Sequence, residues 1–367
     1  MRKSPNSRMT RAGIKLILAG DIGGTKTLIG LFRASARGVT LWRCATYASG
    51  DHESLADIVG QFLAVNGTPR VAAACFGVAG PILGGATRLT NLPWRLAERD
   101  LSALLGIPNV CLLNDVQAAA YGMLHMDKRA FANVKRGRQI PYGRRRWPAA
   151  TMAVIAPGTG LGEAMLYWDG NRHHPVPSEG GHAGFAPRGK AEIEFLEWLG
   201  RTYGAHVSCE RVVSGPGMAA IYEFLRRRSR GREPVSISRA RVAGDLAAAV
   251  GAAGITRRDA VAKRTVEMFV AILGAEAGSL ALRFCATGGV LIGGGIAPKI
   301  LPALRRRAFA DAFIDKGRFA PFLRDIPVWV AKDSRATLLG AAQWASGACL
   351  EKVIRAKRDR NRPSGRA

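Results

Sequence analysis

Ile14-Lys15-Leu16-Ile17-Leu18-Ala19 runs straight into Gly20-Asp21-Ile22-Gly23-Gly24-Thr25, and a second apolar run, residues 27–32, follows at once. Two apolar runs joined by a glycine turn predict a β-hairpin. No helical pattern opens after the glycines, so neither a Rossmann turn nor a Walker loop fits. The same order returns further on: residues 151–156, then Pro157-Gly158-Thr159-Gly160-Leu161-Gly162, then residues 163–168. Such duplication predicts two related α/β halves facing one cleft.

Working outward, residues 71–77 read as a buried strand that Gly80-Pro81 breaks. Residues 110–113 form another strand, and Asn114-Asp115 can cap a helix over 116–124. Residues 128–148 are expected to be a basic loop rich in Gly and Pro. Val266, Phe269, Val270, Leu273, Ala277, Leu280 and Phe284 recur with a helical period and predict a long core helix. A strand over 289–292 then ends in Gly293-Gly294-Gly295, and a last helix spans 336–350. The expected organisation is a disordered extension over 1–13 and a small α/β domain over 14–125, completed by the helix 336–350. A large α/β domain over 126–335 and a basic tail over 351–367 make up the rest.

The 367 residues are 48% hydrophobic and 22% charged, which excludes a wholly disordered chain. No uncharged apolar stretch reaches the ~20 residues a bilayer span needs; residues 284–298, glycine-rich as well, fall short of it. No membrane partner is expected, and the expected compartment is the cytoplasm. Six cysteines at 44, 75, 111, 209, 285 and 349 are scattered without C-x-x-C spacing. They read as free, mostly buried thiols and offer no zinc site. The 54 Lys and Arg against 27 Asp and Glu give a net charge of +27, clustered in 128–148, 226–228, 305–307 and the tail. No nucleic-acid-binding motif accompanies that charge, so it reads as a solvated Arg-rich surface rather than a nucleic-acid interface.

Three glycine turns close three apolar strands. Gly20, Asp21, Ile22, Gly23, Gly24 and Thr25 form the first, Gly158, Thr159 and Gly160 the second, and Gly293, Gly294 and Gly295 the third. Glycine lets backbone N–H groups converge on an anion, and Asp21 is placed to hold Mg²⁺ through water. A single turn of this kind is ordinary; three imply a nucleotide held between two domains. Asn114-Asp115 lies past the carboxyl end of a strand, where α/β sheets bind ligands, and its carboxylate can accept a proton from a hydroxyl. Taken alone, such a pair is better explained by helix capping. Glu179-Gly180-Gly181-His182 sets an acid and an imidazole three apart in a glycine-rich loop suited to hydroxyl-rich ligands. Glu210 precedes Ser214-Gly215-Pro216-Gly217, a turn able to approach an adenosine closely.

These motifs, with Leu89-Thr90-Asn91-Leu92-Pro93-Trp94, occur in an order that resembles the bacterial glucokinase family over about residues 15–350. The resemblance implies an actin/hexokinase-like (ribonuclease H-like) fold whose two domains close on glucose and ATP-Mg²⁺. It implies Asp115 as catalytic base and Asn91, Asn114, Asp115, Glu179, His182 and Glu210 as the glucose-binding set. The turns at 20–25 and 158–160 correspond to the phosphate loops, and Gly293, Gly294 and Gly295 to part of the adenosine site. The related ROK kinases carry a zinc-binding cysteine cluster after their Gly-His motif. Residues 188–209 hold one Cys, which sets this chain apart from that branch.

The expected activity is ATP-dependent phosphorylation of glucose at its 6-hydroxyl, by a homodimer. The alternatives are a kinase of another hexose, a polyphosphate-using kinase, and a sugar-sensing regulator. The last calls for a DNA-binding extension of ~60 residues ahead of the first strand, where only thirteen stand.

Overall fold

A computed structural model describes residues 15–35, 38–89, 91–138 and 147–349. The expected extension 1–13 and tail 351–367 lie outside the described residues, as do Thr90 and the segment 139–146. The chain divides into two compact units, Met1–Leu113 with Ala341–Ala367, and Asn114–Gly340.

The first unit is built on a five-stranded sheet. Its opening hairpin joins β1 (Lys15–Ile22) to β2 (Lys26–Ser35), and β3 (Gly38–Ala48) continues it. β4 (Val71–Val78) follows, then a small hairpin of β5 (Ala86–Arg88) and β6 (Arg95–Ala97), and then β7 (Val110–Asn114). The sheet order is β3-β2-β1-β4-β7, with β1 antiparallel to β2 and parallel to β4. A parallel return needs a crossover, which α1 (Leu55–Val65) supplies. Its N-terminus is fixed by Ser54, whose side chain accepts the Asp57 N–H at 3.1 Å. A second crossover helix, α2 (Glu98–Leu105), ends at Gly106 in the left-handed conformation, φ +63°. Leu18, Ile29, Ile58, Phe62 and Phe76 fill the core.

The second unit repeats the plan. After α3 (Asp115–His125) come β8 (Phe131–Lys135), β9 (Met152–Pro157), β10 (Leu161–Trp168) and β11 (His173–Ser178). α4 (Gly189–Tyr203), α5 (Gly215–Arg226), α6 (Val235–Val242), α7 (Leu246–Ile255) and α8 (Ala260–Arg283) precede β12 (Gly289–Ile292), and β13 (Val328–Ala331) completes the sheet. The order is β11-β10-β9-β12-β13-β8, with β9 antiparallel to β10 and parallel to β12. Counted from its hairpin, each sheet therefore runs third, second, first, fourth, fifth strand, and β8 is an added edge. α8 is 24 residues long and apolar enough to span a bilayer, yet 72% of its apolar window is buried in the unit: it is the core helix.

Three expectations shift. Residues 128–148 are not one loop, because 131–135 pair with β13 as an edge strand. Net charge masked the signal: Lys135 is buried, and its ammonium donates to the carbonyls of Arg324 at 3.0 Å and Ile326 at 2.6 Å. The boundary expected at 125/126 falls at 113/114, because α3 packs on β10 and β11. The last α-helix stops at Trp344, and residues 345–349 continue as a wider π-helical turn packed on β1 and β4. Its first half meets α3 through two glycines: a Cβ at Gly122 would overlap the Ala336 carbonyl, and one at Gly340 the Ala118 carbonyl.

Candidate active site

In the first unit, β1 extends through Gly20, Asp21 and Ile22, so the turn itself is Gly23-Gly24-Thr25. The expected loop is shorter because Ile22 belongs to the core, and a Cβ at Gly20 would press on Phe76, Ile22 and Ile29. Gly20 is glycine for packing. Gly23 N–H donates to the Lys26 carbonyl at 3.0 Å and closes the turn. Ser49 then staples it: its N–H donates to the Thr25 carbonyl at 3.0 Å and its hydroxyl to the Gly23 carbonyl at 2.8 Å. The Ser49 and Thr27 hydroxyls pair at 2.9 Å, both buried. Sequence reasoning missed Ser49, because a lone serine 26 residues from Gly23 carries no local signal. Asn91 is exposed beside the turn, its Cβ 2.8 Å from where a Cβ on Gly24 would stand. Asp21 is half-buried, in register with Leu28 and Gly77.

In the second unit, α3 starts at Asp115. The buried Asn114 side-chain oxygen accepts the Val116 and Gln117 N–H groups at 3.0 and 3.1 Å, so that oxygen is engaged in capping. Asp115 is half-buried and accepts the Val116 N–H at 2.8 Å. Burial pushes its carboxyl up to about 6, the Val116 N–H pulls it partly back, and the nearby Glu179 carboxylate adds to the rise. Glu179 and His182 are both exposed and lie 3.8 Å apart across the short helical turn Gly180–His182. The His182 carbonyl bonds the His206 ring nitrogen at 3.0 Å. His182, Tyr203, His206, Ser208, Glu210 and Arg211 line a pocket of about 190 Å³, which Asp115 and Glu179 do not line.

The second glycine turn is tied to this pocket. Glu210 accepts the Leu161 N–H at 2.9 Å, and a Cβ at Gly160 would overlap that same carboxylate oxygen. The N-terminus of α5 adjoins the turn, with Gly215 N–H donating to the Gly158 carbonyl at 2.8 Å and Ser214 capping the helix through the Gly217 N–H. The positive end of a 12-residue helix so placed favours an anion. The third turn lies alongside. Gly293 N–H donates to the Ile155 carbonyl at 2.9 Å, and Gly294 has φ +74° with no room for a Cβ against Pro157. The second unit thus brings Gly158, Gly160, Glu210 and Gly293–Gly295 into one contiguous arrangement, with His182 at its pocket. Thr159 and Gly295 are exposed there. Among the described residues, no group of three or more His, Cys, Asp or Glu side chains is placed to hold a metal ion.

The glucokinase family model matches residues 18–348. The glucokinase of Nostoc punctiforme is 40% identical over 344 residues, covering 90% of this chain and 99% of that protein. The crystal structure of a glucokinase from an Antarctic psychrotroph is similar, with a TM-score of 0.74 and 29% identity over 93% of this chain and all of that one. At 21% identity and a TM-score of 0.61, the fold is also shared with a ROK family glucokinase from Streptomyces griseus in complex with glucose and AMPPNP, over 90% of this chain and 99% of that one. A family match over residues 18–348, with a relative at 40% identity over nearly its whole length, settles kinship: the chain belongs to the glucokinase family.

Proposed function

We propose that the chain transfers the γ-phosphoryl group of ATP to the 6-hydroxyl of glucose, with Asp115 as the general base. The observation that carries this reading is Asp115 itself. It stands at the first position of α3, half-buried, with a carboxyl raised to about 6 and Glu179 beside it. A base with that affinity is ionised at neutral pH yet still accepts a proton readily, which is where general-base catalysis works best. Asp115 orients the hydroxyl and takes its proton as the sugar oxygen bonds to the γ-phosphorus. The bond from that phosphorus to the β-phosphate oxygen breaks, and ADP leaves. Phosphoryl transfer asks little else of a protein than positioning and neutralisation of charge.

Glu179, His182 and Glu210 are assigned to the sugar hydroxyls, with Asn91 and Asn114, and the turns at 23–25 and 158–160 to the phosphates. Gly293, Gly294 and Gly295 are assigned to the adenosine. Asp21, on β1 just ahead of the first turn, suits Mg²⁺, an ion held mostly by phosphate oxygens and water. When bound, Mg²⁺ neutralises charge on the β- and γ-phosphates. The repeated strand order supports assignment to the actin/hexokinase-like class. A coupled assay of the purified chain with glucose, mannose and N-acetylglucosamine, each with ATP or polyphosphate, tests the reading. ATP-dependent turnover of glucose is expected. Turnover with polyphosphate alone, or with another sugar alone, would replace it with one of the alternatives.

A further inference from the structure

The mechanism leaves one buried ionisable cluster unused. Glu163, on β10, is fully buried, and neither of its carboxylate oxygens has a hydrogen-bond partner among the described residues. Strand alternation turns it away from Gly162, whose Cα packs on Val116 of α3, and toward α8. From α8, one Arg283 nitrogen lies 3.8 Å from it and 2.8 Å from the buried Glu276, which also accepts from the Cys209 thiol at 3.4 Å. A Cβ on Gly180 would overlap a Glu163 carboxylate oxygen, and the Gly180 N–H is bonded to Ser178, the residue opposite Glu163 on β11. The turn that carries Glu179 and His182 therefore rests directly on this carboxyl.

We propose that Glu163 is a positioning residue: with Glu276 and Arg283 it forms a buried carboxyl cluster under Gly180, and its protonation sets the placement of Glu179 and His182. The inference rests on the assignment of those two side chains to the sugar. Two buried carboxyls that share one half-exposed guanidinium do not both ionise easily. Burial and the Glu276 charge push Glu163 up to about 7, with Arg283 opposing. Below that pH the neutral carboxyl supports the turn at little cost. Above it, a buried negative charge faces Glu276 with half of a guanidinium for compensation, and the turn above is the part of the wall able to move and admit water.

The other ionisable groups around Glu163 are few. The turn above it carries Glu179 and His182, and Cys209 faces the cluster from the adjoining 3₁₀ turn with its thiol pushed up by burial. Lys316 interacts electrostatically with Glu276 and Arg283, and also with Arg188 and Asp315. β9 has no titratable side chain, and on β11 His173 and His174 pair with Trp168 and Tyr167 at the opposite end of β10. Asp115 and His125 ride on α3, which packs over the Gly162 face.

Glu163→Gln, which preserves shape and removes the charge, isolates this group from the others. Calorimetric glucose titrations should give wild type and variant equal Kd at pH 6. At pH 8.5 the wild-type Kd should be at least threefold weaker, with KM for ATP unaffected at either pH. A wild-type to variant ratio that does not change with pH would overturn the proposal. Hydrogen exchange of amides 179–184 without sugar provides a readout that does not depend on glucose. At pH 8.5 exchange should be several-fold faster in wild type than in Glu163→Gln, and equal at pH 6; identical exchange at both would also sink the idea. Should no glucose bind at any pH while the exchange difference persists, the sugar assignment fails and the positioning stands. Glu276→Gln serves if Glu163→Gln does not fold. Removing its charge lets Glu163 ionise at lower pH, so the rise in Kd should begin earlier, and an unshifted rise would count against the cluster.

Discussion

The two glycine turns differ more than the two sheets that carry them. Each follows the first strand of a sheet with the same strand order, and each joins that strand to an antiparallel second. Yet Gly23–Thr25 is held by neutral hydroxyls, Ser49 on Thr27 and on the Gly23 carbonyl. Gly158–Gly160 is held by an acidic side chain and a helix end, through Glu210 on Leu161 N–H and Gly215 N–H on Gly158. A duplicated scaffold therefore does not duplicate its function. The first turn is a locally stapled cradle, whereas the second is coupled to the pocket that holds His182, so a disturbance at either place should reach the other.

The comparison can be broken most severely at Asp115, which stands at the start of α3 and belongs to neither turn. Asp115→Asn should lower kcat by about 10²–10⁴ while glucose still binds in calorimetry. In wild type, kcat/KM should rise with pH through about 6 as the base ionises. Stability should move the other way. A carboxyl raised in the folded state contributes stability below its unfolded value near 3.9, and that contribution is lost as pH rises from there to about 6. The Asn variant should therefore melt above wild type at pH 8, with the advantage disappearing below pH 4. A variant less stable at pH 8 would show that burial does not tax this carboxylate.

The coupling of the second turn to its pocket is tested at Glu210. Glu210→Ala removes the charged acceptor of Leu161 N–H, a loss of roughly 1.5–3 kcal/mol. KM for glucose and for ATP should both rise, each by about tenfold to a hundredfold. A change confined to glucose would mean that Glu210 touches the sugar without organising the turn. Glu179→Gln makes the complementary case. Its exposed 3.8 Å pairing with His182 adds ~1 kcal/mol or less to stability, so Tm should barely move. Glucose affinity should fall about tenfold while ATP affinity is retained, and unchanged glucose affinity would remove Glu179 from the sugar set.

Ser49→Ala should have the smallest catalytic effect. It deletes two neutral hydrogen bonds, worth ~1–3 kcal/mol together, and leaves the Thr25 carbonyl bonded to the residue 49 backbone N–H. A lower Tm with kcat within a few-fold of wild type is expected. A loss of turnover as large as that of Glu210→Ala would mean that the first turn depends on its staple as much as the second does on Glu210.

Much of this was readable in the chain itself, since both hairpins, the strand at 289–292, the long core helix and the capped start of α3 are written in local periodicity and turn chemistry. Such patterns survive without tertiary context because they follow from the backbone of a few neighbouring residues. Positions 20–22 were harder to place, since glycine and aspartate signal a turn, while register with Gly77 and packing against Phe76 keep them in the strand. The edge strand 131–135 was hidden because Lys135 reads as surface charge, whereas it is buried and bonded to carbonyls 189 and 191 residues away. Ser49 at the first turn, Glu210 on Leu161 and Glu163 beneath Gly180 share the same character. Each is an ordinary residue type whose role comes from a partner distant in sequence or from desolvation. The sequence by itself determined the two glycine hairpins, the glycine turn after 289–292 and the residue types offered there. Only the tertiary structure decided which carboxylates are buried, and burial is what shifts Asp115 and Glu163 toward neutral pH.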